Sequence, residues 1–406
     1  GIASVVAPSF NKPFGEEESC ISCGQCISAC PVGALTEKFN PKKTVPLPER
    51  IVEGYCTLCS VSCPVEYRYH GSFFTRITDR YNGTVGGKLC EKGRFRNLFV
   101  QEQGFETRHL LAGEEISGET AQQRLRENLA SAKKVLIRIS PYLAGEGMDL
   151  LIEKAVKKGY HLAPLDLMKI EESWMDLPGR EGNRFFDEPY AGKSSDNQKG
   201  IALVVGALED TNNVAFTELY RLKNAGLLEL WIVGRDTPLS RRVADRIFPD
   251  FSQFPQALGY ALLEKKPLEI FTNPEELHET CERETEERII HTLAKEKASF
   301  GLNLFWNSRN GGYLLEKLKK TGLRPERFGL GLEDYDLVLD IGEGKADYNP
   351  GNLVRLGRES KGSTLFMPLH KDLWLGGTSY PTGKKPLKSG RLEDSLLKKE
   401  FSAILD

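Results

Sequence analysis

Histidine, cysteine and any excess of charge are scarce in this 406-residue chain, and none of its apolar runs is long. Its 55 Lys and Arg residues are matched by 57 Asp and Glu, a net charge of −2. Binding nucleic acid by bulk electrostatics needs a basic excess or patch, so no nucleic-acid partner is expected. Apolar runs such as residues 201–205 fall far short of the roughly 18–20 residues of a membrane helix, so no direct membrane span is expected. The six histidines form no ligand-spaced pair, and the nearest two are His278 and His291. No secretory signal opens the sequence, which makes the reducing cytoplasm the expected compartment, at most peripheral to a membrane complex. The chain starts at Gly1 rather than Met, so a processed or longer N-terminus is kept open. A composition 40% hydrophobic and 28% charged is that of a folded globular protein rather than a disordered one. Its length allows two or three domains at about 150 residues each.

Nine cysteines would say little if they were dispersed. Eight fall between Cys20 and Cys90, and none lies between Cys90 and Cys281. On a large chain without a leader, such clustering points to metal rather than to a disulfide framework. The first group reads Cys20-Ile-Ser-Cys23-Gly-Gln-Cys26-Ile-Ser-Ala-Cys30-Pro31, the C-x2-C-x2-C-x3-C-P run of a bacterial ferredoxin [4Fe–4S] cluster. Gly24 leaves room for a close approach to the cluster, and Pro31 turns the chain away after the last cysteine. Zinc sites favour C-x2-C pairs split by a longer loop, which this run is not. In two-cluster ferredoxins the fourth cysteine of each run serves the other cluster. Either a partner half lies upstream of Gly1, which is the expectation, or Cys30 completes a single cluster.

The second group is Cys56-x2-Cys59-x3-Cys63-x26-Cys90. Four thiolates are what one cubane requires, and also what tetrahedral zinc requires. The ferredoxin run upstream favours the cluster. Residues 67–77, rich in aromatic and β-branched side chains, read as a hairpin returning the chain toward Cys90. Residues 41–48 hold three prolines and read as a stiff linker.

Cys56-Thr-Leu-Cys59-Ser-Val-Ser-Cys63-Pro64, followed by Gly87-Lys-Leu-Cys90-Glu-Lys92-Gly93-Arg94, resembles the iron–sulfur domain that opens molybdopterin oxidoreductases. Residues 20–35 resemble the second half of the ferredoxin module joined to it. The combination is similar to the large iron–sulfur subunit of NADH:quinone oxidoreductase and NAD-linked hydrogenases. It is also similar to the catalytic subunit of NAD-linked formate dehydrogenases. The motif-bearing likeness covers about residues 5–100. The resemblance implies that Cys20, Cys23, Cys26 and Cys30 serve a ferredoxin-type [4Fe–4S] cluster, shared with upstream cysteines. Cys56, Cys59, Cys63 and Cys90 would then hold a second, complete one. It places Lys92 between the second cluster and a pterin, where it would assist electron transfer; without a pterin, Lys92 would stabilise the cluster loop. The implied partners are flavin- and NAD-binding subunits and a further redox subunit of a hetero-oligomeric complex.

Beyond residue 108 apolar runs alternate with amphipathic stretches, the pattern of parallel α/β layers. Strands are expected over 135–139, 201–205, 230–233, 301–306, 337–341 and 365–367. Helices are expected over 148–158, 214–224, 241–247, 275–297 and 313–320, with a long loop over 171–200. The fold class is therefore α/β in three parts. Residues 1–48 form a ferredoxin-like [4Fe–4S] half-module, 49–108 a small iron–sulfur domain, and 109–406 a body resembling the pterin-binding domains. Residues 202–213, 230–236 and 241–245 are similar to the family's strand–helix–strand around the guanine dinucleotide. Residues 367–388, with Gly376-Gly377-Thr378, resemble its late segment, and the chain ends short of where the molybdenum enzymes continue. Those enzymes hold the metal through Cys, selenocysteine, Ser or Asp in the first pterin domain. Here His109 and His161 occur without an adjacent thiol, so the body is expected to be degenerate and free of molybdopterin. Gly342-Glu-Gly344-Lys345 lacks the spacing of a phosphate loop, and Gly329-Leu-Gly331 precedes a strand rather than following one. Cys281 reads as an inert thiol, and Lys317, Lys319 and Lys320 as the solvated face of a helix.

The expected function is an electron relay without its own catalytic site, within an NAD(P)-linked oxidoreductase such as a hydrogenase or NADH dehydrogenase. The alternatives are a shortened molybdopterin-dependent formate dehydrogenase and a zinc-stabilised scaffold. Replacing Cys59 by Ser should remove one cluster signal from the low-temperature paramagnetic spectrum and cut electron flow. Unchanged spectra and turnover would contradict the assignment of Cys59.

Overall fold

The computed structural model describes residues 24–30, 48–71, 73–80, 88–95, 106–165, 173–177, 199–296, 300–308, 310–325, 330–342, 353–357, 365–368, 377–379 and 387–389, with a few isolated positions. Cys20, Cys23, the proline-rich linker before Pro48, most of the expected 171–200 loop, and the glycines at 329 and 344 lie outside them.

Three antiparallel strands, Arg50–Tyr55, Pro64–His70 and Phe73–Asp79, form a small sheet in sequence order. The last two are the hairpin legible in the sequence. The first strand is unexpected, because its alternation is carried only by Ile51 and Val52 before a glycine. Pairing with the apolar Pro64–His70 strand fixes it, from Arg50 opposite Tyr69 to Tyr55 opposite Pro64.

The remainder builds two parallel-rich sheets. The larger has seven strands in the order Glu114–Ile116, His109–Leu111, Leu365–Pro368, Leu353–Gly357, Leu337–Ile341, Val135–Ile139, His161–Pro164. Its last five strands are mutually parallel, and the first two form an antiparallel edge. The second sheet is wholly parallel, in the order Arg246–Phe248, Leu228–Val233, Gly200–Val205, Leu268–Thr272, Gly301–Leu304. The chain completes half of the large sheet, builds the five-stranded sheet, and then returns to finish the first. The body is thus two interleaved units, which local periodicity does not reveal. Gly200–Val205 is buried at every residue, as expected of a strand covered on both faces.

Two expectations are corrected. The segment read as one helix over 241–247 is a short helix, Pro238–Val243, followed by an edge strand, Arg246–Phe248. Thr237 and Ser240 form a reciprocal cap with Pro238 at the first turn, which starts the helix early. Parallel pairing with Leu228–Val233 then captures the end that helical spacing had claimed. The segment read as one helix over 275–297 is two, Pro274–Thr280 and Arg283–Lys295, separated by extended Cys281 and Glu282. The break turns Glu286 into the protein, where Trp174 Nε1 donates to it at 2.8 Å and His278 Nδ1 lies 3.0 Å away. Half-buried Cys281 has its thiol pushed up to about 12 by burial and by the nearby carboxylates Glu276, Glu286 and Asp250. Of the three lysines read as a solvated face, Lys317 pairs with Asp149, Lys319 with Asp176 and Lys320 with Glu316. Among the described residues no helix is long and apolar enough to cross a membrane.

Asp340 sits at the centre of the large sheet, aligned with Arg138 on one neighbouring strand and Arg355 on the other. Arg138 donates to it through Nε at 2.5 Å and Nη2 at 2.7 Å, and Arg355 Nη2 lies 3.4 Å away. All three side chains are buried. Removing the carboxylate strands two guanidiniums in the interior. Asp340→Ala should therefore cost about 3–5 kcal/mol in denaturant-induced unfolding, whereas a loss below about 1 kcal/mol would contradict the arrangement.

Candidate metal centre

The pairing of Tyr55 with Pro64 leaves residues 56–63 as the loop of a hairpin, and three of the four cysteines of the second group lie on it. Cys56 N donates to Cys63 O at 2.8 Å and closes the loop base; Ser62 N donates to Cys59 O at 3.2 Å. Ser62 adopts a left-handed conformation, φ 49°, which a non-glycine residue holds at a cost of about 1–3 kcal/mol. The fourth cysteine, Cys90, immediately precedes the helix Glu91–Phe95, whose Arg94 N donates to Cys90 O at 3.0 Å. Gly93 brings this helix onto the loop. A Cβ there would lie 3.2 Å from Cys56 Sγ and 2.7 Å from Leu89 Cδ1, so any side chain would have to displace Leu89 and crowd the sulfur.

The loop is not a surface feature. Cys56, Val61, Cys63, Val65, Tyr67 and Leu89 share one apolar cluster with Ala202, Val204, Leu230, Ile232 and Phe271 of the five-stranded sheet and with Phe305, which follows its strand Gly301–Leu304. Phe271 and Phe305 stack beneath it with ring centroids 6.5 Å apart. Ser60 fixes the loop to the body: its N donates to Trp306 O at 3.0 Å and its Oγ accepts from Trp306 N at 2.9 Å.

Burial raises the Cys56 thiol well above its ordinary range, and the charges of Cys59 and Cys90 add to the shift. Cys59 is pushed up to about 11, first by burial and then by Cys90. These thiols therefore sense one another across the loop. Thr57 Oγ1 and Ser62 Oγ, both buried beside them, have no hydrogen-bond partner within the protein. Buried hydroxyls without acceptors, next to these cysteines, fit a group that brings acceptor sulfur to them. Among the described residues no three His, Cys, Asp or Glu side chains gather as they would around one metal ion. None of the seven described cysteines is in a disulfide.

Lys92 is exposed; its Nζ donates to Asp210 O at 3.1 Å, and its charge favours the Cys59 thiolate. Lys88 forms an ion pair with Glu218. Both lysines thus tie the Cys90 segment to the body.

Of the first group, Cys26 is exposed on the helix Gln25–Ala29, and Cys30 follows that helix in extended conformation. The helix rests on Arg94. The Cβ that Gly24, φ 68°, does not carry would lie 2.6 Å from Arg94 Cδ. Arg94 Nη2 donates to Asp79 Oδ1 at 2.9 Å and to Gln25 Oε1 at 3.2 Å. One buried guanidinium, 4% exposed, therefore joins the two cysteine regions. No local pattern signals this role: in the sequence Arg94 is only the end of the Cys90 motif, and its partners are 15 and 69 residues away.

Residues 15–36 match the 4Fe-4S binding domain, and residues 49–101 match the molybdopterin oxidoreductase Fe4S4 domain. The alpha subunit of NADPH-Fe(3+) oxidoreductase from Geobacter sulfurreducens is 26% identical over 107 residues, 26% of this chain and 13% of that protein. A subunit of the NADH-quinone oxidoreductase of Rhizobium meliloti is 30% identical over 139 residues, 32% of this chain and 16% of its own. Its counterpart in Escherichia coli K12 is 28% identical over 167 residues, 37% of this chain and 17% of its own. The matched region thus spans less than a fifth of these relatives. A solved chain of the formyltransferase/hydrolase complex from Methylorubrum extorquens aligns with 73% of this chain and 98% of its own, at 9% identity and TM-score 0.49.

Replacing Arg94 by Met leaves the Asp79 carboxylate, 9% exposed, buried without its cation. The expected cost is about 3–5 kcal/mol in unfolding of the iron-loaded chain, with Asp79→Leu in the same chain restoring most of it. A single variant as stable as the parent would contradict the bridging role.

Proposed function

We propose that the chain is an electron-relay subunit of a multisubunit NAD(P)-linked oxidoreductase, holding two [4Fe–4S] clusters and no catalytic site of its own. Cys56, Cys59, Cys63 and Cys90 hold one cluster, and Cys20, Cys23, Cys26 and Cys30 contribute to the other. A [4Fe–4S] cluster supplies one-electron storage; the protein sets its potential through ligation, hydrogen bonds and solvent exclusion. The observation that carries this reading is the 56–63 loop, closed by the Gly93 helix and buried against the five-stranded sheet. The two matched iron–sulfur domains, and relatives named as subunits of NADH-quinone and NADPH-Fe(3+) oxidoreductases, support it. Hydride chemistry then belongs to flavin- and NAD-binding partners, and a further redox subunit accepts or supplies electrons. We place the three parts at residues 1–48, 49–108 and 109–406. Lys92 in this reading is a tether for the cluster loop, because its ammonium is engaged by Asp210 O on the body.

The residues present do not fit a molybdopterin dinucleotide. In an open parallel sheet such a ligand sits beyond the carboxyl ends of the strands, where the strand order reverses. Here that point lies between Gly200–Val205 and Leu268–Thr272. The Ala207 N–H, which a phosphate would require, donates instead to Glu276 Oε2 at 3.1 Å. Glu209 shares this end of the sheet, and burial raises both carboxyl groups above their ordinary range. Glu209 is paired with Arg235, which also pairs with Asp210.

Metal analysis of the purified native complex separates the possibilities. The expected result is iron and acid-labile sulfide with neither molybdenum nor tungsten. Stoichiometric molybdenum or tungsten would establish the formate-dehydrogenase alternative, and zinc without a reducible paramagnetic signal would establish a scaffold.

A further inference from the structure

We propose that Thr57 and Ser62 donate their hydroxyl hydrogens to sulfur of the second cluster and thereby raise its reduction potential. The inference deepens the cluster reading above and rests on it. Both residues are fully buried, and neither Thr57 Oγ1 nor Ser62 Oγ has a hydrogen-bond partner among the described residues. They are the first positions inside the loop, next to Cys56 and Cys63, which are joined by the hydrogen bond from Cys56 N to Cys63 O at 2.8 Å.

A buried hydroxyl ordinarily finds a partner, because its hydrogen rotates to meet whatever acceptor is near. Ser60, on the same loop, is engaged: its Oγ accepts from Trp306 N at 2.9 Å. The loop thus joins one serine to the body and leaves two hydroxyls without a partner. Ser62 carries a further cost. Its backbone is left-handed, φ 49°, a conformation that glycine would hold more easily and without a hydroxyl to bury. These costs fall on the two positions that adjoin Cys56 and Cys63 inside the loop. They are offset if the hydroxyls meet an acceptor that belongs to the bound group. A four-iron cluster presents such acceptors in its sulfides and in the sulfurs of its cysteines.

The sign follows from electrostatics. Accepting an electron adds negative charge to the cluster and its sulfurs, and an O–H dipole directed at sulfur stabilises the more negative state. Removing either hydroxyl should therefore make the second cluster harder to reduce. No hydrogen bond to another described residue is lost with either hydroxyl, so a purely structural role predicts no shift in potential.

The test is a redox titration of the native complex followed by low-temperature paramagnetic resonance, with iron per chain measured alongside. The variants are Thr57→Val, which keeps the shape, Ser62→Ala, which keeps the left-handed backbone, and Ser62→Gly, which relieves it. In each, iron content should be unchanged and the ferredoxin-type signal unmoved. The reduced-to-oxidised ratio of the second cluster at fixed potential should fall about tenfold, which is about 59 mV for one electron. Ser62→Ala and Ser62→Gly should agree, because both remove the hydroxyl. An unmoved potential with iron retained in Thr57→Val or in Ser62→Ala overturns the proposal for that hydroxyl. A shift in Ser62→Gly alone is a backbone effect and overturns it for Ser62. Loss of iron from the second site in all three variants also overturns it, because the hydroxyls would then act in assembly alone. Absence of iron from the parent complex would instead overturn the cluster reading on which it rests.

Discussion

The candidate site depends on the burial of a thiol-bearing loop in a core that the small sheet and the five-stranded sheet build together. Thiols lose solvation there, and burial raises Cys56 well above its ordinary range and Cys59 to about 11. The loop nevertheless includes a left-handed serine and two hydroxyls without acceptors inside the protein. A fold retains such local costs where a bound group offsets them. The apolar contacts that enclose the loop come from both the small sheet and the five-stranded sheet. The Cys90 helix is drawn in by Gly93, and the ferredoxin-type helix by Arg94.

This dependence gives the body a part in holding the loop. Trp306 pairs with Ser60 through both main-chain groups, Asp210 holds Lys92, and Glu218 holds Lys88. These contacts come from the carboxyl ends of parallel strands and the helices that follow them, the part of an open α/β sheet that ordinarily takes a ligand. Here that end faces an iron–sulfur domain instead, with Glu276 accepting from the Ala207 N–H. That end of the sheet serves as a socket for the loop.

Cysteine spacing made the candidate site legible, because the loops that wrap a cluster are short and need fixed intervals. The parallel strands were legible as apolar runs: residues 135–139, 201–205 and 337–341 emerge as buried strands. What local pattern could not carry was set by partners remote in sequence. Arg246–Phe248 is a strand because Leu228–Val233 offers an edge, and the 275–297 helix breaks because Glu286 has Trp174 and His278 to meet. Arg94 was silent for the same reason. A single arginine has no period, and its meaning lies in the groups that folding brings to it.

The buried hairpin loop and the Cys90 segment, on this reading, together hold a four-iron cluster, and the rest of the account depends on it. Anomalous diffraction at the iron edge, from crystals of the native complex grown without oxygen, tests it most directly. The predicted result is iron scattering bonded to the sulfurs of Cys56, Cys59, Cys63 and Cys90, enclosed by residues 56–63 and the Gly93 helix. A single metal ion at that position, or a disulfide between any two of these cysteines in the native complex, would contradict it.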